Sequence, residues 1–517
     1  MTEQAPSANR RTLFNIGSSL AQVTLSAVSL LVLYSLLLSA LGPAELGVWS
    51  LVVATSSLTQ IANLGMADTT TRQVARLSAA GEPMAAVIAV ETAAITMTVA
   101  AGCITLAAFP LAEYYLEFAL DGQPLADAIT ILPYGLAAFW MMMVTGVYQG
   151  GLYGSGRVVQ RNAILLLESL CYPLMAYFLA DERGLFGLVL ARLVQNGMTL
   201  ALTVGALRRV LPVSIVPYRW TRQEFVRTLG YAWRIQLISL LVLMCDPFTK
   251  ACLARYGDTS YVGFYEMANR LVLQFRALFT ATGSLLVPEI ARLRENGVDR
   301  MLRVYGSAYE SMFFLGTLGF ASLAAASFLV SSLWIGDSAP HFIVALVLLS
   351  AGWFVNSLGL PAYNIALGTG SLTPNVLSHI LLTLANFGLC TALGESFGAY
   401  GVMAAWSIAL GIGGISMSIL FGRKLPAGDA PKLSRASWNM LILVAVLLGF
   451  ALWGRLQLDH LLDASSLAVA PAALRDTFVL ITFLCLLIPI AAAHPTRKQL
   501  VLWVKAAFER RAFANSK

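Results

Sequence analysis

The sequence is poor in charged residues. Only 12% of its 517 residues are Asp, Glu, Lys or Arg, whereas 58% are hydrophobic. A water-soluble domain is excluded, because so few polar groups cannot cover so much apolar surface. The net charge of +7 does not indicate nucleic acid, since the basic residues are scattered singly between apolar stretches. The expected solvent is lipid, so membrane lipids are expected partners and nucleic acid is not.

The patterns of metal, disulfide and nucleotide chemistry are also missing. The six cysteines lie in apolar stretches without the paired spacing of a zinc site or a disulfide framework. The four histidines are dispersed, and no cysteine or histidine adjoins the Met141–Met143 run. Neither a Walker A pattern nor a nucleophile motif occurs. We therefore expect no metal, no cofactor, no catalytic residue and no enzymatic activity.

What the chain does contain is a series of apolar stretches, each near the length of about twenty residues that a helix needs to cross a bilayer. They predict an all-α polytopic membrane protein with fourteen spans. The spans, numbered in chain order, are Leu13–Leu41, Glu45–Leu64, Pro83–Phe109, Asp127–Leu152, Val159–Ala180, Gly184–Leu207, Val226–Leu253, Tyr261–Leu286, Leu302–Leu329, Phe342–Leu367, Thr373–Leu393, Gly398–Phe421, Trp438–Trp453 and Thr477–His494.

The distribution of positive charge predicts the orientation. With fourteen spans, most of the 34 basic residues fall on one side of the membrane. The opposite loops carry only Arg183, Arg255, Arg455 and Arg475, and the loop 110–126 has acids but no base. Because basic loops stay in the cytoplasm, both termini are expected there.

The chain contains an internal repeat. Aligning Gly47–Trp49 with Gly263–Tyr265 also aligns Ala75–Leu77 with Ala291–Leu293 without a gap. A second block places Gly154, Gly156, Gly184 and Gly187 on Gly368, Gly370, Gly398 and Gly401. The repeat predicts two six-helix bundles related by a pseudo-two-fold axis along the membrane normal. The expected parts are 1–210 with spans 1–6, 211–425 with spans 7–12, and 426–517 with two added spans and a basic cytoplasmic tail.

The residues of the repeat also carry a resemblance. Leu41–Leu51 followed by Asn63–Met66 resembles the Wzx-type polysaccharide flippases, and so does the block Gly263–Leu293. The segment Gly368–Gly401 is similar to later helices of the same family. That family belongs to a superfamily that also holds multidrug and toxin extruders and lipid II flippases.

The resemblance implies a V-shaped, two-lobed transporter with a cleft lined by spans 1, 2, 7 and 8. It implies transfer of a polyprenyl-diphosphate-linked oligosaccharide to the outer leaflet of the bacterial cytoplasmic membrane, coupled to a cation. A polysaccharide polymerase and export machinery are further partners in this interpretation. The lipid II flippases suggest that the last two spans form a groove for the lipid tail.

Small polar residues recur at helical spacing on spans 1 and 2. They include Gln22 on span 1 and Gln60 and Asn63 on span 2. A polar face directed at lipid is unfavourable, so these three residues are candidates for contact with substrate in a water-filled cavity. The alternative is helix packing through small polar side chains. The rest of the span 1 stripe is Asn15, Ser18, Ser19, Ser26 and Ser29.

Charges inside the spans are a sharper signal, because each costs several kcal/mol at mid-bilayer unless it is paired or hydrated. Arg234, Arg270 and Arg276 are the candidates for binding the substrate diphosphate, since a guanidinium donates to two oxygens at once. Asp246 and Glu266 are candidates for cation coupling. Each has a base one turn away, Lys250 and Arg270, so structural pairing is the alternative. The remaining intramembrane charges are Glu91, Glu168, Glu310 and Arg192.

Three alternatives stay open at this point. Glu91 and Glu310 occupy corresponding places on spans 3 and 9, as a symmetric structural feature or as a coupling-ion site. Cation-driven drug efflux is an alternative function, although it favours an acidic or aromatic cavity. A membrane-embedded glycosyltransferase or polymerase is a weaker alternative, because the outer loops are too short for a catalytic domain.

Overall fold

The computed structural model describes residues 5–57, 65–284, 298–369, 373–425, 431–464 and 472–497. These residues form helices joined by short connections, with no strand among them. A short helix, Ser327–Val330, and a π-helical turn, Ser331–Ile335, lie between the helices Val298–Ala325 and Pro340–Ser357. The longer helices are α1 Ala5–Ser57, α2 Met66–Ala79, α3 Pro83–Ala119, α4 Gly122–Gly154, α5 Val158–Arg208, α6 Arg222–Tyr256, α7 Thr259–Ser284, α8 Val298–Ala325, α9 Pro340–Ser357, α10 Leu360–Thr369, α11 Thr373–Gly422, α12 Arg435–Ala464 and α13 Ala472–Ala493.

The helices have the lengths and composition of membrane spans. Among the described residues, eight helices are long and apolar enough to cross a membrane, and the bent pair Leu302–Ala325 and Ser327–Ile335 makes up to nine. Three of the eight, α1, α5 and α11, have 53, 51 and 50 residues and contain two predicted spans each. The predicted spans overlap these helices, and the second and eighth reach the limits of the described residues at Ser57 and Ser284. The ninth is bent between Ala325 and Ser327, and the tenth is divided into α9 and α10. The all-α, polytopic class is confirmed.

Glycines at corresponding positions of the two repeats form the turn between two spans. Gly184 in α5 has φ 56° and ψ −137°, and its repeat partner Gly398 in α11 has φ 63° and ψ −150°. A residue with a Cβ rarely adopts this backbone, so glycine is needed where the chain turns back. Three residues further on, a Cβ at Gly187 or Gly401 would lie 1.8 or 2.0 Å from a carbonyl oxygen of the preceding span. The repeated glycines therefore build the same helical hairpin twice.

The connection between the predicted spans 2 and 3 contains a helix. The chain after span 2 forms α2, which buries Met66, Thr70, Val74 and Leu77 along one side. This spacing of three and four residues is that of an amphipathic helix, and the charged Asp68 lies in its first turn. The helix is too short and too polar to be found by a search for membrane spans.

The helices divide into two compact units, Met1–Gly263 and Phe264–Lys517. The first contains α6, which packs against α3 and α1. There the Tyr115 hydroxyl donates to the Pro247 carbonyl oxygen at 2.6 Å. The division into parts 1–210, 211–425 and 426–517 stays a prediction.

In the second unit, the hairpin of α12 and α13 packs on α8. Arg455 of α12 donates through Nε to Asp476 of α13, and both side chains are 1% exposed. The Ser332 hydroxyl donates to the same carboxylate, and the Arg455 guanidinium lies 5.3 Å from the Phe328 ring centroid. A buried ion pair with specific hydrogen bonds fixes one arrangement of the hairpin, because any shift leaves a charge unpaired.

The contact between α2 and α4 in the first unit yields a prediction about packing. A Cβ at Gly150 would lie 2.4 Å from the Ala67 carbonyl oxygen, so Gly150→Ala forces the two helix backbones apart. We expect a loss of about 1–3 kcal/mol of stability, seen as a lower thermal midpoint of the detergent-solubilised protein. Gly205→Ala is the matched control, because nothing lies within 4 Å of its added Cβ. Equal midpoints for the two variants would contradict the close packing.

Candidate functional site

The candidate site is a cavity of about 360 Å³ inside the second unit. Four helices, α7, α9, α10 and α11, contribute to its wall or to the turns that border it. Glycines bring these helices close together, since a Cβ at Gly414 would lie 2.4 Å from the Val355 carbonyl oxygen. The lining residues are Arg276, Thr280, Asn356, Gly359, Leu360, Tyr363, Asn364, Ser378, His379, Leu382, Gly413, Gly414 and Met417.

Arg276 supplies the positive charge of this cavity. Its guanidinium carbon lies 4.2 Å from the centroid of the Trp353 ring. The Nε atom is buried and has no hydrogen-bond partner among the described residues. The described lining residues include no carboxylate. Arg276 therefore faces the cavity as a cation with an aromatic neighbour and no acidic partner in the wall.

The neutral polar groups around Arg276 are held in place by backbone carbonyls. The Asn356 amide donates to the Leu410 carbonyl oxygen at 3.1 Å, which orients it between α9 and α11. His379 places Nδ1 2.6 Å from the Asn375 carbonyl oxygen, one turn earlier in α11. Its ring lies 6.0 Å from the Tyr363 ring, edge to face. The wall is thus rich in orientable dipoles around a single cation.

The cost of removing Arg276 from water can be compared with the gain from its neighbours in the cavity. A guanidinium stays protonated in proteins, and removing such an ion from water costs several kcal/mol even after relaxation. A cation–π contact such as that of Arg276 with Trp353 returns about 2 kcal/mol when desolvated. The difference has to come from water or from an anion that enters the cavity. Phosphate and carboxylate groups match the donors of the guanidinium. The cavity therefore presents a cation whose donors match such groups.

Arg270, one and a half turns before Arg276 in α7, has a partner on its own helix. Its Nε donates to Glu266 Oε1 at 2.6 Å, and Glu266 is 3% exposed while Arg270 is 38% exposed. Asp246 and Lys250 form a corresponding pair in α6, at 2.7 Å, with Lys250 buried. In both pairs the acid contacts the base one turn away on its own helix, as the alternative of structural pairing predicts. The predicted substrate role of Arg270 and the coupling roles of Asp246 and Glu266 stay predictions.

The polar stripe of span 1 packs against α5. Ser18 and Ser19 accept hydrogen bonds from the Asn162 amide at 3.0 and 2.9 Å. Gln22 donates to Ser26 at 3.1 Å, and Ser26 donates to Ser169 at 3.0 Å. This is the helix-packing alternative for the serines, and the substrate contact of Gln22 stays a prediction.

Three candidates fall outside the part of the chain that the structure describes. Gln60 and Asn63 lie between the described ranges 5–57 and 65–284, and the side chain of Arg234 in α6 is likewise not described. Their proposed contacts with substrate stay predictions from the sequence.

Glu91 and Glu310 hold corresponding connections. Glu91 is fully buried and accepts hydrogen bonds from the backbone N–H groups of Ser214 and Arg219 at 2.8 and 3.0 Å, and from the Arg219 guanidinium at 3.1 Å. Glu310 accepts one from the N–H of Ser434 at 3.2 Å. In each repeat the carboxylate thereby anchors the segment that leads into the next helix, α6 or α12. These contacts agree with the alternative in which Glu91 and Glu310 are a symmetric structural feature of the two repeats.

Sequence reasoning missed His379, Tyr363, Asn356 and Trp353 as members of the site. The histidine was noted only as one of four dispersed residues, because its neighbours in space come from other helices. A signal was present in the sequence, since His379 and Ser378 are polar residues within an apolar span. Nothing in the spacing, however, connects them with Arg276.

No protein-family model and no curated protein matches this sequence. Solved structures do match the fold. An inward-facing multidrug resistance MATE family transporter of the MOP superfamily has a TM-score of 0.69 at 18% identity, covering 78% of this chain and 94% of that one. The lipid II flippase MurJ, in an inward closed conformation, has a TM-score of 0.63 at 13% identity, covering 91% and 98%.

A third match is a MOP superfamily transporter from Pyrococcus furiosus Vc1 (DSM3638), for which reverse polarity of the binding pocket suggests a different function. It has a TM-score of 0.56 at 16% identity and covers 78% of this chain and 95% of that one. By name, two of these proteins are transporters and one is a flippase. The chain is an integral multi-pass membrane protein with the fold of MOP superfamily transporters, and the Wzx-type assignment stays a prediction.

The pairing of Glu266 with Arg270 gives a prediction that separates stability from function. Arg270→Ala removes the partner at 2.6 Å from a carboxylate that is 3% exposed, and an unsatisfied buried group costs about 1–3 kcal/mol. We expect a lower thermal midpoint and less protein in the membrane. The double variant Glu266→Gln/Arg270→Gln keeps similar shapes without charge and should recover most of both. A double variant as unstable as Arg270→Ala would show that the pair is not what stabilises this turn.

Proposed function

We propose that this protein flips a polyprenyl-diphosphate-linked oligosaccharide from the cytoplasmic to the periplasmic leaflet of a bacterial inner membrane, by alternating access. Both termini lie in the cytoplasm in this proposal, as the distribution of basic residues predicts. The transported lipid supplies a cell-surface polysaccharide. The observation that carries the proposal is the cavity of the second unit, whose wall presents Arg276 and neutral donors but no described carboxylate.

The size of the cavity indicates which part of the proposed substrate it holds. A volume of about 360 Å³ is at the lower end of what holds a small molecule, so it accommodates a diphosphate but not an oligosaccharide with its lipid. The sugar and the polyprenyl chain must lie outside it. In this proposal Gln22, Gln60 and Asn63 contact the sugar, while Arg276, together with Arg234 and Arg270, attracts the diphosphate. Polar side chains substitute for water, whose loss from phosphate and hydroxyl groups is the main cost of crossing.

The extent of the structural matches also supports a flippase. The match with the lipid II flippase covers 91% of this chain, whereas that with the multidrug transporter covers 78%. The additional part of this chain that the flippase match covers is about as long as two helices. A groove for the lipid tail along α12 and α13 is part of this proposal.

Cation-driven drug efflux is the second candidate, favoured by the TM-score of 0.69 with a multidrug transporter. The charge of the cavity opposes it. A cationic drug would meet Arg276 without a described carboxylate beside it, and like charges repel strongly in a medium of low dielectric constant.

Replacing the cavity cation tests the proposal. Arg276→Ala should abolish complementation of a strain that lacks its own lipid-linked oligosaccharide flippase, because the diphosphate loses its counter-charge. Arg276→Lys should retain part of the activity, since it keeps the charge but not the planar fork of donors. Membrane abundance, followed by immunoblot, should be close to that of the unaltered protein in both cases.

Arg208→Ala is the matched control, because this arginine is exposed at the end of α5 and its loss should leave complementation intact. Full complementation by Arg276→Ala at normal abundance would remove this cavity from the transport path. Export of an organic cation by the purified protein in liposomes, without movement of a lipid-linked oligosaccharide, would favour efflux instead.

A further inference from the structure

We infer that Arg276 and His379 together form a proton-linked anion site, in which the His379 imidazole takes up a proton when a doubly charged anion such as a phosphate group enters the cavity. This inference deepens the proposed function, on which its assignment to transport rests. The proton is held on α11 beside the substrate's own charge.

The tautomer of His379 follows from its hydrogen bond. Nδ1 lies 2.6 Å from the Asn375 carbonyl oxygen, and a carbonyl oxygen can only accept. The ring hydrogen of neutral His379 is therefore on Nδ1, which leaves Nε2 as the nitrogen that gains a proton. No hydrogen bond from a described residue to Nε2 is present, and the residue lines the cavity. A proton on Nε2 turns it from an acceptor into a second donor toward a ligand.

The charged and titratable groups that share the cavity with His379 determine when the proton binds. From the described parts of the helices around it, these are Arg276 of α7 and Tyr363 of α10, while α9 contributes the neutral Asn356. Without a ligand, the guanidinium opposes a second positive charge nearby. A dianion cancels both charges, so protonation of His379 and binding of the anion favour each other.

The direction of the pH dependence follows from this linkage. The anion binds most tightly to the protonated imidazole, so its affinity is highest at acid pH and falls as pH rises through the titration range of His379. By reciprocity, the bound anion makes the proton harder to remove.

His379 lines the cavity, whereas the two carboxylates predicted from the sequence to couple a cation are not among its described lining residues. Asp246 is 2.7 Å from Lys250, and Glu266 is 2.6 Å from Arg270, so each already has a cation beside it. Glu266 belongs to the same helix as Arg276 but does not line the cavity. His379 does, and thus senses the charge of whatever enters.

Calorimetric titration of the purified full-length protein with sulfate tests the inference, because sulfate remains a dianion across the range in which histidine titrates. We expect affinity on the order of tenfold higher at about pH 6 than at about pH 8, with uptake of about one proton per sulfate. Proton uptake is read from the binding enthalpy in buffers that differ in ionisation enthalpy. His379→Gln should bind sulfate equally at both pH values and take up no proton, and Arg276→Ala should lose binding at both.

His341→Gln is the matched control, because His341 contacts the Tyr400 hydroxyl at 2.7 Å and is absent from the cavity wall. It should keep the full pH dependence. Persistence of the pH dependence in His379→Gln, or no sulfate binding by the unaltered protein at either pH, would overturn the inference. The assay contains no lipid-linked oligosaccharide, so it tests the anion site separately from transport. If the protein binds sulfate with proton uptake but does not flip the oligosaccharide, only the proposed substrate is wrong. If the protein flips the oligosaccharide but binds sulfate with the same affinity at both pH values, only the role of His379 is wrong.

Discussion

The cost of leaving a charge unpaired away from water governs this molecule. Most of the described charges inside its helices are neutralised nearby: Glu91 by backbone N–H groups and Arg219, Lys250 by Asp246, Glu266 by Arg270, and Arg455 by Asp476. Each pairing also fixes a piece of architecture, because displacement of either partner exposes an ion to a medium that cannot solvate it. Arg276 differs, since an aromatic ring and neutral dipoles surround it in a cavity. Its charge faces the cavity without a carboxylate among the described lining residues.

Close approach of helices is the second constraint, and it depends on glycine. The hairpins within α5 and α11 turn at Gly184 and Gly398, and the helices around the cavity meet at Gly359 and Gly414. Gly359 and Gly414 also line the cavity of the second unit, so the close contact of these helices borders the polar pocket.

The repeat combines these two constraints. In each half, a carboxylate on the third helix anchors the connection to the following helix, through Glu91 before α6 and Glu310 before α12. The helix after each anchored connection packs on the helix that carries the carboxylate, α3 or α8. The added hairpin of α12 and α13 is therefore attached to the second half in the way that α6 is attached to the first.

The sequence by itself determined the solvent, the helices and their repetition. Apolar runs of spanning length predicted the polytopic class, and glycines such as Gly184 and Gly398 marked the repeat because only they permit the turn. Local spacing also found the pairs Asp246–Lys250 and Glu266–Arg270, whose members are one turn apart. Only the tertiary structure showed that α2 is a helix packed on α4 and that Arg276 shares a cavity with Asn356, Tyr363 and His379. Those residues come from four different helices, and contact between helices depends on packing geometry that no spacing within one helix records.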